Sequence, residues 1–227
     1  MTGKKSFWRQ SSIAKTTVCE RKNTRCSKHT ALSGPIMNKA VFLDRDGTVT
    51  EEVGYLSDLT MLRLLPDAGA AIKKLNQAGF KVIIVTNQSG VARGLFPESL
   101  VHEAHARLAQ MLEKEGARLD GVYYCPHHPK AGNLHYTMAC DCRKPGTGLV
   151  DRAVKELDID PILSFMVGDK WSDVELGQRA GMKSVLVRTG FAPDDSGNMR
   201  PEHVKDPDFT ARDLSETVEL ILKDVHR

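Results

Sequence analysis

Residues 41–50, VFLDRDGTVT, decide the fold because they join a short apolar run to two aspartates. The run at 41–43 predicts a buried strand, and Asp44 and Asp46 follow where that strand would end. Residues two apart along a strand share a face, so the two carboxylates can converge on one point. Carboxylates that close repel each other unless a cation lies beside them, and Mg²⁺ suits that position. Taken alone, the stretch favours an ordinary turn at Gly47, so the function depends on the rest of the chain.

Outward from this stretch, short apolar runs alternate with longer amphipathic segments. This alternation predicts an α/β fold with a parallel sheet between two layers of helices, a three-layer Rossmann-like architecture. We predict strands at 40–43, 81–85, 121–124, 164–167 and 184–187. We predict helices that start near Pro66, Pro97, Gly148 and Ser172, and a last helix over 214–225. Gly79, Gly116 and Gly181 are expected at helix C-termini, and Ser172 with Glu175 is expected to form a capping box.

The 227-residue chain is 41% hydrophobic, which is enough for one domain with a full core. Residues 1–36 hold eight of the 32 Lys and Arg residues and only one of the 29 acidic residues, so the head is basic and the body mildly acidic. We predict that residues 1–36 are a disordered basic extension and that residues 37–227 form a single domain. The composition of the head also matches an organelle transit peptide or a nucleic-acid-binding tail.

The five cysteines come without an apolar block long enough for a secretory signal or a membrane span. Cysteines in that context are typical of a reducing compartment and argue against a disulfide scaffold. We therefore expect a cytoplasmic protein without a membrane partner. Nothing in the sequence demands an oligomer, so a monomer is expected.

Polar residues follow two further predicted strands, in VIIVTNQSG (82–90) and FMVGDKWSD (165–173). Ligands bind beyond the carboxyl ends of parallel strands, so these residues should meet the two aspartates at one edge of the sheet. The hydroxyl of Thr86 and the donors that follow it can hold phosphate oxygens. Lys144, in CDCRKPGTG (140–148), can neutralise phosphate, and Asp169 can give a third oxygen to Mg²⁺.

In this order, DRDGT, TNQSG, RKP and GDKWSD resemble the four motifs of the haloacid dehalogenase superfamily of phosphatases. The resemblance implies that Asp44 is the nucleophile and becomes an aspartyl-phosphate, while Asp46 first protonates the leaving oxygen and then activates water. It implies that Thr86 and Lys144 stabilise the phosphoryl group. Mg²⁺ would be held by Asp44, the backbone carbonyl of Asp46, and Asp169.

Fewer than forty residues separate the first motif from the second predicted strand, and most of them are assigned to one helix. This spacing leaves no room for a large cap domain. Water would then reach the site, which favours hydrolysis over the transfer reaction of a mutase with the same nucleophile.

A cysteine-rich loop at 125–142, CPHHPKAGNLHYTMACDC, carries a possible metal site. Its Cys125, His127, Cys140 and Cys142 are a Cys₃His set suited to a tetrahedral structural zinc ion. His128 is a rival ligand and His135 a more distant one. Free, buried cysteines acting as small apolar residues are the alternative interpretation.

The loop resembles that of the superfamily phosphatases acting on heptose bisphosphate, and the histidinol-phosphate phosphatases have a similar one. The first likeness implies removal of the 7-phosphate of D-glycero-D-manno-heptose 1,7-bisphosphate, in nucleotide-heptose synthesis for lipopolysaccharide and other surface polysaccharides. Histidinol phosphate stays the alternative, and either would be a small-molecule partner. The implied substrate contacts are Arg45, Glu52, Val53, Gly54, Tyr55, Asn87, Gln88, Ser89, Arg143 and Lys170.

The charges that surround these positions bear on both substrates. A bisphosphate favours several cations, and the candidates are Arg93, Arg143, Lys144 and Lys170. The amine of histidinol phosphate would instead favour Glu51 and Glu52. A zinc-organised nucleic-acid-binding module is the alternative of another class, but a binder has no need of the full acidic and basic set. The sequence has neither G-x-S-x-G nor a P-loop, which argues against a serine hydrolase and kinase-type use of ATP.

Overall fold

The computed structural model describes residues 37–191 and 198–225. The predicted disorder of residues 1–36 falls outside the described residues and stays a prediction. Within them, six parallel strands form one sheet in the order β3-β2-β1-β4-β5-β6. The strands are β1 (Ala40–Leu43), β2 (Lys81–Asn87), β3 (Gly121–Cys125), β4 (Phe165–Gly168), β5 (Lys183–Val187) and β6 (Phe209–Ala211).

The five predicted strands are confirmed within one or two residues at their ends, and β6 was not predicted. β6 is only three residues long, and Val185 of β5 pairs with Phe209 at its start. Just before it, the Asp208 carboxylate accepts hydrogen bonds from the backbone N–H and the hydroxyl of Ser184 at 2.8 and 3.1 Å. A three-residue strand is too short to show an alternation of apolar and polar residues in the sequence. Its position is set by the contact with Ser184, which is distant in sequence.

Helices cover both faces of the sheet, which confirms the predicted three-layer α/β architecture. They are α1 (Ala68–Gln77), α2 (Glu98–Lys114), α3 (Gly148–Leu157), α4 (Trp171–Arg179) and α5 (Leu214–Val225). Two short 3₁₀ turns lie at Leu59–Met61 and Pro161–Leu163. α2 begins directly after Pro97, and α1 begins two residues after Pro66, as the proline positions predicted.

The core is divided by the sheet into two apolar clusters. Along β1, Val41 and Leu43 face the cluster covered by α1, α2 and α5, whereas Ala40 and Phe42 face the cluster covered by α3 and α4. All four side chains are fully buried. A strand that is buried on both faces has apolar side chains at consecutive positions, and this explains why residues 40–43 are all apolar.

Most of the predicted helix ends are confirmed. Gly79, Gly116 and Gly181 follow α1, α2 and α4 with φ values of 80°, 76° and 73°, a region that favours glycine. The predicted capping box of Ser172 with Glu175 is wrong, because α4 begins one residue earlier. The carboxylate of Asp173 accepts the backbone N–H of Lys170 at 3.2 Å instead.

The segment between β1 and β2 contains one 3₁₀ turn and α1. In the part of the chain that the structure describes, no large cap domain lies over the sheet, as predicted from the spacing. No helix among the described residues has the length and apolar character needed to cross a membrane.

Candidate active site

The carboxyl ends of β1, β2 and β4 meet at the middle of one sheet edge, where the sequence placed the site. β1 lies between β2 and β4, so Asp44, Thr86 and Asp169 are brought together from three separate stretches. All three side chains are buried. The adjacent strands of a parallel sheet thus bring together residues more than 120 positions apart.

Lys144 lies at the centre of this edge. Its ammonium nitrogen is 2.9 Å from Asp44 Oδ1 and 2.7 Å from Asp173 Oδ1, and it donates to the carbonyl oxygen of Val85 at 2.9 Å. The ammonium therefore lies between two carboxylates and one carbonyl oxygen, on a residue that is only 4% exposed. Burial disfavours the ammonium charge, but Asp173 and Asp44 outweigh it and raise the pKa of Lys144.

The carboxylates around Lys144 have different tendencies to ionise. Burial alone would raise the pKa of Asp44, but Lys144 and Lys170 outweigh burial and lower it. Burial and the nearby charge of Asp44 raise the pKa of Asp169 to about 7, and burial raises that of Asp173 to about 6. Asp44 is thus an ionised carboxylate at neutral pH, as a nucleophile has to be.

Asp44, Asp169 and Asp173 also make up a group with carboxylate oxygens within 4.8 Å of one another. Asp169 Oδ1 is buried and has no hydrogen-bond partner among the described residues, whereas its Oδ2 accepts the backbone N–H of Phe191 at 2.9 Å. An orphaned carboxylate oxygen beside a second carboxylate is a donor set that fits a hard cation such as Mg²⁺. The cation that the motifs imply therefore fits these residues.

Asp46 occupies a different position from the other acids. Its side chain is 17% exposed and does not belong to the three-carboxylate group. Arg45 donates to both of its oxygens, at 2.9 and 2.7 Å, and Gln88 Nε2 donates to Oδ2 at 3.0 Å. Only the backbone carbonyl of Asp46 was predicted as a metal ligand, and that role stays a prediction.

Two residues predicted to contact substrate instead direct their side chains inward. Gln88 Nε2 also donates to the hydroxyl of Thr86 at 2.9 Å, and Gln88 Oε1 accepts from Arg45 at 3.1 Å. Asn87 exchanges two hydrogen bonds with the backbone of Lys144, at 3.0 and 3.2 Å. Their amide groups therefore hold the site together from behind, and substrate contact by them stays a prediction.

A cleft of about 580 Å³ opens over the site. The predicted contacts that line it are Arg45, Glu52, Gly54, Tyr55, Asn87, Gln88, Ser89, Arg143 and Lys170, with Arg93 beside them. Val53 packs against the core instead. Lys170 Nζ lies 3.1 Å from Glu52 Oε2 and 4.5 Å from the centre of the Phe191 ring. The loop at 52–55 is thereby tied to the strand end that carries Asp169.

The cysteine loop brings its four predicted ligands to one point. Sγ of Cys142 is 3.1 Å from Cys125 Sγ and 3.3 Å from Cys140 Sγ, and it is 3.3 Å from His127 Nδ1. A tetrahedron with bonds of about 2.3 Å to a central ion has edges of about 3.8 Å. Cys125 Sγ is near that distance from Cys140 Sγ and His127 Nδ1, at 3.6 and 3.7 Å, whereas the separations from Cys142 Sγ are shorter. His128 is directed elsewhere, because its two ring nitrogens contact Arg93 and the backbone N–H of Lys130. The cluster can hold a metal ion, and the ring that faces it is that of His127.

The cluster is joined to the active site through the chain that follows Cys142. Arg143 Nη1 donates to the carbonyl oxygen of His127 at 3.3 Å, and the next residue is Lys144. On its other side the loop is anchored to α2, since Tyr136 donates to Glu98 Oε2 at 2.8 Å. The loop therefore fixes both Arg143 and the lysine at the centre of the site.

Comparison with known proteins agrees with this geometry. The chain is 44% identical over 168 residues to the D-glycero-β-D-manno-heptose-1,7-bisphosphate 7-phosphatase of Haemophilus ducreyi, which covers 73% of this chain and 92% of that relative. It is 41% identical over 186 residues to the D-glycero-D-manno-heptose-1,7-bisphosphate 7-phosphatase of Thermosynechococcus vestitus, covering 80% of this chain and 94% of the relative. The chain belongs to the heptose bisphosphate phosphatase family. It is therefore a phosphoric monoester hydrolase, as the motifs predicted.

Two further findings agree with membership in this family. A solved structure of the D,D-heptose 1,7-bisphosphate phosphatase from B. bronchiseptica, complexed with magnesium and phosphate, matches with a TM-score of 0.70 and 30% identity, covering 82% of this chain and 99% of that chain. The HAD-hydrolase-like family model matches residues 141–217. The resemblance to the haloacid dehalogenase superfamily is thus confirmed.

Three residues of this phosphatase were given no role from the sequence. Asp173 ends the motif GDKWSD, so its position four residues after Asp169 was a usable signal. His105 lies among the apolar residues of the buried face of α2, and a single histidine at such a position indicates that a polar group packs against it. Asn198 donates to the carbonyl oxygen of Asp169 at 3.0 Å and accepts from Trp171 N–H at 2.9 Å, but nothing in its local sequence indicated this.

Gly190 gives a first test of the site, because a Cβ there would collide with the Asp169 carboxylate and the backbone of Gly47. We expect G190A to displace the carboxylate and lower phosphatase activity by about 100-fold. The measurement is phosphate release at a series of Mg²⁺ concentrations, with thermal unfolding as a check. Gly132 has no atom near the equivalent position, so G132A is the control. Equal activities of the two variants would contradict this account.

His105 gives a test by pH, since burial and the charge of Arg45 lower its pKa from 6.5 to about 3. The charged or titratable groups that face it are Arg45, Asp46, His102 and Tyr124. Between pH 6.5 and 3 the unfolded chain binds a proton at this site that the folded protein does not, so stability falls as the pH falls.

Between pH 6 and 4, we expect the free energy of unfolding of H105Q to fall less steeply than that of the wild type, by about 1 kcal/mol per pH unit. Urea unfolding at several pH values measures it, with the exposed His135, as H135Q, for control. A slope in H105Q as steep as in the wild type would show that His105 is not a source of the acid sensitivity.

Proposed function

We propose that this chain is a Mg²⁺-dependent phosphatase that removes the 7-phosphate of D-glycero-D-manno-heptose 1,7-bisphosphate through an aspartyl-phosphate on Asp44. The observation that carries the proposal is the buried pairing of Asp44 with Lys144, beside the orphaned oxygen of Asp169. The substrate is supported by the relatives from H. ducreyi and T. vestitus. In this role the protein would act in the bacterial cytoplasm, as a monomer, on the route to nucleotide-heptose for lipopolysaccharide and other surface polysaccharides.

The first half of the reaction depends on an ionised nucleophile close to an anionic phosphate. Asp44 is ionised because Lys144 lies 2.9 Å away, and the same ammonium can neutralise phosphoryl oxygens as charge develops. Mg²⁺ held by Asp44, Asp169 and the Asp46 carbonyl would neutralise further negative charge between the enzyme and the phosphate. The hydroxyl of Thr86 lies at the neighbouring strand end, where it can contact the same oxygens.

The second half of the reaction needs a group that moves protons. Asp46 is the acid whose side chain reaches the cleft, with 17% exposure, and it is not engaged by Lys144. It can protonate the sugar oxygen as the phosphorus–oxygen bond breaks, and can then accept a proton from the water that attacks the phosphoenzyme. Because no large cap lies over the described part of the site, water can enter for that step.

The charges of the cleft favour a bisphosphate. Arg93, Arg143 and Lys170 line it together, and each can meet an anionic group. Two acids were expected to meet the amine of histidinol phosphate, and of these the exposed Glu51 is not among the residues that line the cleft. The carboxylate of Glu52 is already engaged by Lys170 at 3.1 Å and by the backbone N–H of Gly54 at 2.7 Å. The cleft therefore gives no reason to prefer histidinol phosphate.

We further propose that the cysteine cluster holds a structural zinc ion. Three thiols and one imidazole match a closed tetrahedral set, with no place left for a reacting water. Burial raises the pKa of the Cys125 and Cys142 thiols in the absence of metal, so binding would displace protons from them. The role of the ion would be to fix Arg143 and Lys144 over the cleft.

The two neighbouring histidines allow a matched test of the zinc site. We expect purified H127A to lose the bound zinc and to unfold at a lower temperature, because one of four ligands is gone. We expect H128A to keep about one zinc ion per chain. Elemental analysis and thermal unfolding with and without chelator measure both effects. Zinc retained by H127A and lost by H128A would exchange the roles of the two rings.

The substrate is tested by phosphate release with Mg²⁺ from both anomers of heptose 1,7-bisphosphate and from histidinol phosphate. We expect fast release from a heptose bisphosphate, and a loss of at least about 1,000-fold in D44N, because the nucleophile is removed while the shape is kept. The remaining heptose product should keep its 1-phosphate. Faster release from histidinol phosphate would overturn the proposed substrate, and an active D44N would overturn the mechanism.

A further inference from the structure

Arg45 is the largest side chain among the fully buried residues that the structure describes, with 1% exposure. A guanidinium in that position is strongly unfavourable unless its donors all have partners. The resemblance assigned this residue to the substrate. Its surroundings indicate a different role, because the guanidinium is directed into the protein.

The partners of Arg45 come from three elements. Nε and Nη2 donate to the two oxygens of Asp46 at 2.9 and 2.7 Å, in the parallel two-pronged arrangement that fixes a carboxylate in its plane. Nη2 also donates to Gln88 Oε1 at 3.1 Å, and Nη1 lies 3.3 Å from Nε2 of His105. The guanidinium is therefore held by α2 and by the residue that follows β2, and it in turn holds Asp46.

His105 is suited to this place because it can accept a hydrogen bond. Burial and the charge of Arg45 lower its pKa to about 3, so the ring is neutral and Nε2 can accept from Nη1. Tyr124 packs against the same ring, with centres 5.5 Å apart. A neutral acceptor at this point orients the guanidinium without competing with Asp46 for its charge.

Asp46 itself is restrained from other directions as well. Gln88 Nε2 donates to Oδ2 at 3.0 Å, and the hydroxyl of Thr50 shares its one hydrogen between Oδ1 at 3.3 Å and the carbonyl oxygen of Arg45 at 3.2 Å. Both oxygens are thus held by neighbours in the fold, and the remaining exposed edge faces the cleft. The carboxylate has one orientation that the surrounding side chains define.

We propose that Arg45 is a positioning residue for the proton-transferring carboxylate of Asp46, which it aims at the leaving oxygen through its two-pronged bond, and that its side chain does not bind substrate. This inference rests on the proposed function, in which Asp46 is the acid and base. It assigns the buried set of Arg45, Gln88 and His105 to a single task.

The chemistry gives this role a specific signature. When Asp44 attacks phosphorus, the bond to the sugar oxygen breaks, and the electron pair on that oxygen takes a proton from the carboxylic acid form of Asp46, which leaves the carboxylate that Arg45 binds. A sugar alkoxide is a poor leaving group and needs this proton, whereas 4-nitrophenolate leaves without it. In the second step water attacks phosphorus, Asp46 takes the water proton, and Asp44 leaves as a carboxylate with inorganic phosphate released. If the carboxyl group of Asp46 is no longer correctly oriented, phosphoenzyme formation therefore slows for the sugar phosphate and not for the nitrophenyl ester.

The experiment compares the first step for two leaving groups by rapid-quench single-turnover kinetics, using heptose 1,7-bisphosphate and 4-nitrophenyl phosphate with Mg²⁺. We expect R45Q to form phosphoenzyme about 100-fold more slowly from the sugar phosphate, and within about threefold of wild type from the nitrophenyl ester. R45K keeps the charge but has no two-pronged fork, and should show a smaller loss with the same selectivity. The retained nitrophenyl burst also shows that each variant is folded.

D46N is the reference, and we expect the same selectivity in it, with R45Q/D46N no slower than D46N alone. Equal losses for both leaving groups in R45Q and R45K would overturn the positioning role, as would additive losses in the double variant. A raised KM for the sugar phosphate at an unchanged single-turnover rate would restore Arg45 as a substrate contact.

The same experiment distinguishes a failure of the proposed function from a failure of the role proposed for Arg45. If wild type forms phosphoenzyme from the nitrophenyl ester but not from heptose bisphosphate, the substrate is wrong, and glycerol 3-phosphate serves as the alkyl ester in the same comparison. If D46N shows no selectivity, Asp46 is not the acid and the inference about Arg45 is overturned with it.

Discussion

The buried ammonium of Lys144 is the group on which the rest of the site depends. Asp44 and Asp173 both lie within 3 Å of it, and each would be costly at this depth without the opposite charge. Lys144 is also what lets Asp44 stay ionised, so one interaction serves stability and the chemistry together. The carbonyl oxygen of Val85 accepts a hydrogen bond from the same ammonium, which fixes the direction of the ammonium relative to the sheet.

Lys144 comes from a loop, and a loop needs support to place a charge accurately. The cysteine cluster ends two residues before it, and the amide of Asn87 holds its backbone on the other side. The order of the cysteine loop thus sets the position of the lysine that pairs with the proposed nucleophile, Asp44. A second buried cation, Arg45, is also held by several partners, but it binds the carboxylate of Asp46 and not that of Asp44.

Much of the architecture could be predicted because its signals are local. The apolar run at 41–43, the glycines at 79, 116 and 181, and the motif order each depend on neighbours in sequence. The predictions failed where partners are distant: β6 is set by its pairing with β5, and Asp173 rather than Glu175 receives the N–H at the start of α4. The role of Asn198, which contacts the strand end at Asp169, has the same origin.

The sequence by itself determined the α/β class and the family, and its motif spacing led to Asp44 as the proposed nucleophile and to the Cys₃His set as the proposed metal ligands. Only the tertiary structure decided which ring of the His127–His128 pair faces the cluster, and only it showed that the buried guanidinium of Arg45 binds the carboxylate of Asp46. The direction of a side chain depends on what packs against it from other elements. His105 and Gln88, which hold Arg45, lie 60 and 43 residues away in sequence, and they are brought to it by the pairing of β1 with β2 and by the packing of α2.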